Sequence, residues 1–540
     1  MIQTRILTDG EPLDAILSGA EKLYKAVSTT MGPRGQNVIF KKYGHKVGVT
    51  HDGVTVAKLV EVNDAAESVG AELIREAAMK LDATTGDGTT TVTVLTYHIL
   101  KEAAKYIKQG ESPMALKLAL DAHIAPIIAQ IDAHTDKDVT LEKLAQVASV
   151  AAGDKEIGQA VAEVIFEAGA ETPIILGFSE STETVSEVTK GFKIDSGPAS
   201  PYLMEGAGIK LEIKEPYIIV ADAKLRDKDD ILPILKLTAE LPDDKRRFLL
   251  VCSDIAGDAL AYMVQNRLKG FADLAVARVP QHIQSHAEYL ADLAVATGAK
   301  VLSRNTGDSI KAPKLEHFGS ADKVTVEPRE TVIVNGHAAE EDIAIRRREL
   351  EAFGKEAKTK AARKFAKDRL MTLEQKVVGI FVGGQSETDA EERHYRYEDA
   401  VGASRAALRG GVVPGGGTLL YSIGKEMRGG VGAQRVLSQA LKEPLCIVLE
   451  NAGVNISLFE PDSILIGKGI DVMHPEDGLI DLVERGILDP AESEKECVRT
   501  AIAIAGLLIT SGALIVDEKV SEDENQKNTG EISFGSSPTA

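Results

Sequence analysis

The sequence predicts a multidomain α + α/β protein, on three observations. Apolar residues recur at helical spacing toward both ends of the chain. Between about residues 190 and 335, short β-branched runs alternate with helical patterns. And 540 residues suffice for about three domains of ordinary size.

At the N-terminal end, Leu13, Ile16, Leu17, Ala20, Leu23 and Val27 share one helical face. A second face is Val69, Leu73, Ala77 and Leu81. A third is Val92, Leu95, Ile99, Ala103 and Tyr106, stopped by Gly110. Near the other end, Cys497 to Ile509 forms an Ala/Ile/Leu-rich helix, with a short strand at Ala513 to Val516. In the middle, the runs Tyr217–Val220, Phe248–Val251, Leu274–Val279, Lys323–Val326 and Thr331–Val334 predict strands of an α/β domain. A long charged helix follows from about 338 to 371, where Arg346, Arg347 and Arg348 interleave with glutamates on a face the pattern makes solvated. Helical block, α/β block, helical block is the order that nested domains produce. The last ~20 residues are polar, acidic and turn-rich, a composition that predicts disorder.

The net charge of −20 argues against nucleic acid as a partner, since phosphate backbones require a basic surface. A phosphate site in such a chain has to be built locally, from backbone N–H groups and a metal ion. Cys252, Cys446 and Cys497 are odd in number and lack metal-ligand spacing, which points to a reducing compartment. With no signal-peptide run and no stretch of about 18 uncharged apolar residues, no membrane partner and a cytoplasmic location are expected.

The strongest chemical signal is Gly86-Asp87-Gly88-Thr89-Thr90-Thr91, between two predicted helices. Glycines allow close backbone approach, and a helix N-terminus with free N–H groups binds anions such as phosphate. Asp87 is then placed to hold Mg²⁺ on the phosphates. An N-capped turn is the plainer alternative. Thr30-Met31-Gly32-Pro33-Arg34-Gly35 ends a helix and lacks the P-loop pattern. His51-Asp52-Gly53 reads as a hairpin turn with a second carboxylate, Pro414 to Gly417 as a loop, and Asp489-Pro490 as a helix cap. Asp399 lies within a helical stretch.

Order and combination say more. TxGPRGQNV, HDGVTVA, GDGTTTVTVL, YEDAvgAsRAAL, GVVPGGG and GILDP, in this sequence and separation, resemble the group I chaperonins over about residues 1 to 520. The resemblance implies the chaperonin fold: a mainly helical equatorial ATP-binding domain (1–134 and 410–540, with 521–540 a tail), a small intermediate hinge domain (135–189 and 373–409) and an α/β apical client-binding domain (190–372). By the same resemblance, Thr30, Gly32 and Pro33 line ATP, Asp87 takes Mg²⁺, and Gly88, Thr89, Thr90 and Thr91 cradle the phosphates. Gly415 and Gly416 approach the nucleoside and Asp489 takes the ribose. Asp399 activates the attacking water on hinge closure, assisted by Asp52, and K⁺ is a further candidate cofactor. Tyr202, Leu203, Leu232, Leu235, Leu260 and Val264 are the implied client-binding residues, capturing non-native proteins inside a homo-oligomeric ring of seven subunits.

Departures from the family pattern bear on the partners. A lysine expected beside the phosphates is His51, mostly neutral at pH 7. Pro198, Gln265 and the segment 279–284 depart where a cochaperonin would be recruited. Cys446 and Asn455 replace a basic–acidic pair that bridges two rings, and the stretch between Gly417 and Pro444 is short. The competing class is a non-hydrolysing, chaperonin-shaped holdase or scaffold; a small-molecule kinase is distant, for want of a P-loop or kinase signature.

Overall fold

The computed structural model describes residues 2–41, 47–170, 172–179, 181–204, 210–242, 245–280, 283, 285–303, 308–357, 359–373, 376–455 and 464–519. The predicted tail 521–540, and Gln281, His282 and Gln284 of the segment 279–284, lie outside them. The chain divides into two compact units: Met1–Ala170 with Phe178–Glu183 and Val382–Ala540, and Glu171–Gly177 with Thr184–Phe381.

The first unit is helical. Glu11–Ser28, Ala65–Thr85, Thr89–Lys108 and Ala491–Ile509 bury one core in which Ile16, Leu23, Ile74, Leu95, Leu100 and Leu508 are fully enclosed. The expected faces hold except on Ala65–Thr85. There the buried stripe is Gly70, Ala71, Ile74, Ala77, Ala78 and Leu81, so Val69 and Leu73 sit at its margin. The small residues carry the contact because they let neighbouring helices approach. Strands Ile2–Leu7 and Leu514–Lys519 pair antiparallel, Leu7 opposite Leu514 and Ile2 opposite Lys519, tying the described ends of the chain together.

One stretch of this unit, Pro113–Ala133, has the length and mean hydropathy (1.4) of a membrane span. It is two helices, Pro113–Ala122 and Ile124–Ala133, broken at His123, and Leu116, Leu120, Ile127 and Ile131 are packed into the core. A further group of helices, Leu141–Ala152, Lys155–Ala168 and Glu387–Gly410, packs together in the same unit. Thr140, Asp154 and Ser386 cap their N-termini with side-chain oxygens.

The second unit is built on a nine-stranded sheet. Tyr217–Leu225, Arg247–Ile255 and Asp273–Arg278 run parallel, joined through helices Lys228–Ala239 and Gly257–Leu268. Phe248, Leu249, Leu250 and Val251 are all fully buried, as a parallel strand covered on both faces requires. Gly319–Val326, Thr331–Gly336 and Val185–Ile194 extend the sheet antiparallel.

The charged helix expected over 338–371 is two helices, Glu340–Glu356 and Lys360–Leu373. Its face is not simply solvated. Arg346 and Arg369 both reach Asp292 of the helix His286–Thr297, whose carboxylate is 2% exposed. An interleaved charge pattern predicts solvation only when partners lie on the same helix; here the partner came from another element.

Candidate functional site

Within the first unit, a cavity of about 1220 Å³ gathers Thr30, Gly32, Pro33, Asp52, Asp87, Gly88, Thr89, Thr90, Thr91, Asp399, Gly416 and Asp489. Of the expected nucleotide-site residues only Gly415 is not on the wall; Gly417 is. A side-chain carbon on Gly415 would meet the Asp489 carboxyl at 2.9 Å, so this glycine makes room for Asp489.

Each wall follows from local structure. Helix Thr89–Lys108 begins at Gly88, whose left-handed backbone (φ 81) supplies no side-chain cap. The first-turn N–H groups therefore face the cavity without a capping oxygen, in contrast to the capped helices described above. The hairpin turn expected at His51-Asp52-Gly53 is instead a helix start. Asp52 N-caps Gly53–Leu59, its Oδ1 accepting from Val54 N at 3.1 Å and its Oδ2 from Thr55 N at 2.8 Å. Asp489 is likewise no helix cap. It lies in strand Leu488–Pro490, opposite Val413, and its carboxylate accepts the Gly416 and Gly417 N–H groups.

Asp399 projects from helix Glu387–Gly410, as do Arg396 and Ala403, so one stripe of that helix forms a wall. The same helix touches the Gly86–Gly88 loop backbone to backbone: a side-chain carbon on Gly402 would lie 1.9 Å from the Gly86 carbonyl oxygen. Gly402→Ala is expected to push loop and helix apart, costing roughly 1–3 kcal/mol of stability and lowering nucleotide affinity. Thermal melting and nucleotide titration check this, and a variant unchanged in both would disprove the contact's importance.

The electrostatics are dominated by carboxylates. Burial, then repulsion from Asp52, Glu398, Asp87 and Asp82, pushes the Asp399 carboxyl well above the usual range. Burial also raises Asp87, opposed by the Ser493 hydroxyl and the Gly88 N–H. Asp489 is pushed up to about 7 by burial and by Asp87, and Glu494 rises through burial, Asp489 and Asp87. Burial holds the His51 imidazole below the usual histidine range, with Glu392 opposing. A polyphosphate entering so acidic a cavity needs cations to offset the carboxylates. Among the described residues no three His, Cys, Asp or Glu side chains form a cage. Asp87, on the wall beside the uncapped helix start, is a carboxylate that could share a hard divalent cation with phosphate oxygens.

Asp82, Ser493, Glu494 and Arg396 also line the cavity and were not singled out in the sequence. Ser493 and Glu494 lie on the first turn after Asp489-Pro490, and that adjacency was the only available signal.

In the second unit, the expected client residues divide. Tyr202 is 65% exposed. Leu203 is fully buried with Ile219, Phe248 and Leu274, so it offers no surface: the tight turn Pro201–Met204 points successive side chains about 120° apart, sending Tyr202 out and Leu203 in. Leu232 and Leu235 on one helix, and Leu260 and Val264 on the next, are half-buried. Tyr262, Leu268 and Phe271, not anticipated, are exposed nearby in sequence.

The model of the TCP-1/cpn60 chaperonin family matches residues 23–519. The chain belongs to that family. Among solved structures, this chaperonin is similar to the chaperonin gp146 from the bacteriophage EL 2 (Pseudomonas aeruginosa), crystallised in the presence of ATP-BeFx. The TM-score is 0.66 for one crystal form and 0.59 for another, at 22% identity, covering 95% of this chain and 99% of that one. At that identity the likeness speaks for the fold.

Proposed function

We propose that this chaperonin hydrolyses ATP and uses the resulting domain motion to capture and fold non-native proteins. The observation that carries the reading is the uncapped helix N-terminus Gly88–Thr91 facing Asp87, Asp399 and Asp489 across one cavity. Phosphoryl transfer asks mainly for positioning and charge neutralisation. Mg²⁺, when bound, supplies charge neutralisation at the phosphates; Asp87 is the residue to hold it. The N–H groups of Thr89 to Thr91 hold phosphate oxygens, Asp489 accepts the ribose hydroxyls, and Asp399 takes the proton of the attacking water. Asp52, its two oxygens engaged in capping, acts by its charge and by fixing the wall.

The three-domain division stated above fits this cycle, with helices Leu141–Ala152, Lys155–Ala168 and Glu387–Gly410 as the hinge block that carries Asp399. Tyr202, Leu232, Leu235, Leu260 and Val264 offer apolar surface to clients of any sequence. Ring assembly is supported by two exposed apolar edges of the first unit. Ile6 (62% exposed) stands opposite Ile515 (67%) on the paired terminal strands, and Ile39 (71%) lies on the hairpin Val38–Lys41 with Val47–Thr50. Exposed strand edges of this kind ask for a partner. Ile6→Asp combined with Ile515→Asp is expected to convert the oligomer to monomers in light scattering; a ring of unchanged mass would refute this contact.

The neutral His51 favours a second reading, a holdase that binds clients without hydrolysis. Refolding of an aggregation-prone client separates the two. The foldase raises native yield only with ATP, whereas the holdase suppresses aggregation equally without it.

A further inference from the structure

We infer that Arg396 is the cation that meets the terminal phosphate of the nucleotide. The inference rests on the ATP reading above and goes beyond it, to a residue of the same wall. Buried or half-buried carboxyls crowd the cavity wall, among them Asp52, Asp82, Asp87, Asp399, Asp489 and Glu494. Among the described residues the cationic side chains on its wall are Lys155, Arg396 and Arg485.

These three are not equivalent. Arg485 is already committed to Asp471, at 3.2 Å, and to Asp477. Lys155 sits exposed in the first turn of Lys155–Ala168, the positive end of that helix, where a lysine is poorly fixed. Arg396 is oriented. Its Nε and Nη2 are held by Glu392 at 2.7 and 2.6 Å, one turn back on the same helix, and its Nη1 reaches the Ala152 carbonyl at 3.5 Å. A guanidinium carries five N–H donors, so donors remain beyond those the clamp uses. It stands three residues before Asp399, on the stripe of that helix that lines the cavity. Whatever brings Asp399 to the attacking water therefore brings Arg396 with it. The Glu392 carboxylate also lies 3.6 Å from His51 Nδ1, so the clamp abuts a second residue of the cavity wall.

A terminal-phosphate ligand distinguishes ATP from ADP, whereas a residue that only braces the helix does not. The test is calorimetric or fluorescence titration of the full-length chain with MgATP and MgADP, alongside steady-state hydrolysis. Arg396→Gln is expected to lower the preference for ATP over ADP about tenfold, leaving ADP affinity within about twofold, and to lower kcat by about 10²-fold. Arg396→Lys should recover part of the preference, and His51→Lys placed in the Arg396→Gln background should recover part of kcat. An unchanged preference in Arg396→Gln, or an equal loss of ATP and ADP affinity, overturns the inference and leaves Arg396 a brace. So does a loss of preference in Lys155→Gln with none in Arg396→Gln. A parent chain that binds neither nucleotide defeats the ATP reading itself, a result distinct from all of these.

Discussion

An Asp399→Ala chain is expected to hydrolyse ATP about 10²–10⁴-fold more slowly while binding it as well as the parent or better. The two halves of the expectation have one cause. Asp399 stands in a buried cavity repelled by Asp52, Glu398, Asp87 and Asp82. Removing its charge relieves that repulsion, so nothing that holds the nucleotide is lost, but the group that takes the water's proton is gone. The raised carboxyl also sets the sign of the pH dependence. In the proposed role Asp399 acts as the ionised base, so hydrolysis by the parent is expected to fall as pH drops through its elevated folded value, and the variant's residual rate to lack that acidic limb. Steady-state rates across pH, with binding measured in parallel, test this; equal rates in parent and variant would remove Asp399 from the mechanism.

The largest effect on stability is expected in the second unit, from Asp292→Ala. Asp292 Oδ1 accepts from Arg346 Nε at 2.8 Å and Arg369 Nη2 at 2.9 Å, and Oδ2 accepts from Arg369 Nε at 2.6 Å. Glu288 takes the outer donors of both arginines, at 3.0 and 2.7 Å. Truncating Asp292 removes the buried carboxylate on which both guanidinium groups converge and leaves them the half-exposed carboxylates of Glu288 and Glu349. The cost expected for breaking such a buried pair is about 3–5 kcal/mol. Asp292→Asn, which keeps the shape and some of the bonds, should cost less. The chain has no Trp, so urea unfolding followed by far-UV circular dichroism is the suitable measurement. A change under about 1 kcal/mol would show that the network is exposed to water in solution.

What could be read from the sequence depended on how local the cause was. The helix Glu11–Ser28 was legible because Leu13 to Val27 repeat an apolar face that needs no partner to be seen. The strands Tyr217–Leu225 and Arg247–Ile255 were legible because burial makes Ile218–Ala221 and Phe248–Cys252 continuous apolar runs. Gly86 to Thr91 was legible as a loop of unusual composition at a helix start. Interactions across distant segments were not. Nothing around Arg346 marks Asp292 as its partner, and nothing near Asp52 distinguishes a helix cap from a hairpin turn. Glu494 and Ser493 enter the cavity only because strand Leu488–Pro490 pairs with Val412–Pro414 and aims the following helix there. Leu203 failed for a local reason, since a tight turn sends adjacent apolar residues to opposite sides.

The pairing of Ile2–Leu7 with Leu514–Lys519 has a consequence for how the molecule is made. Strand Ile2–Leu7 receives its partner only after all the residues between the two strands have been translated. At about 5–20 residues per second, that delay is roughly half a minute to two minutes. The segment Thr184–Phe381 is continuous and can fold while translation proceeds, but the unit formed from both ends cannot close until translation ends. During that interval the exposed Ile6 lies on an unpaired edge. A newborn copy of this chaperonin is thus itself an unfinished chain with a sticky edge, and its yield in the cell should depend on how fast translation delivers Leu514–Lys519.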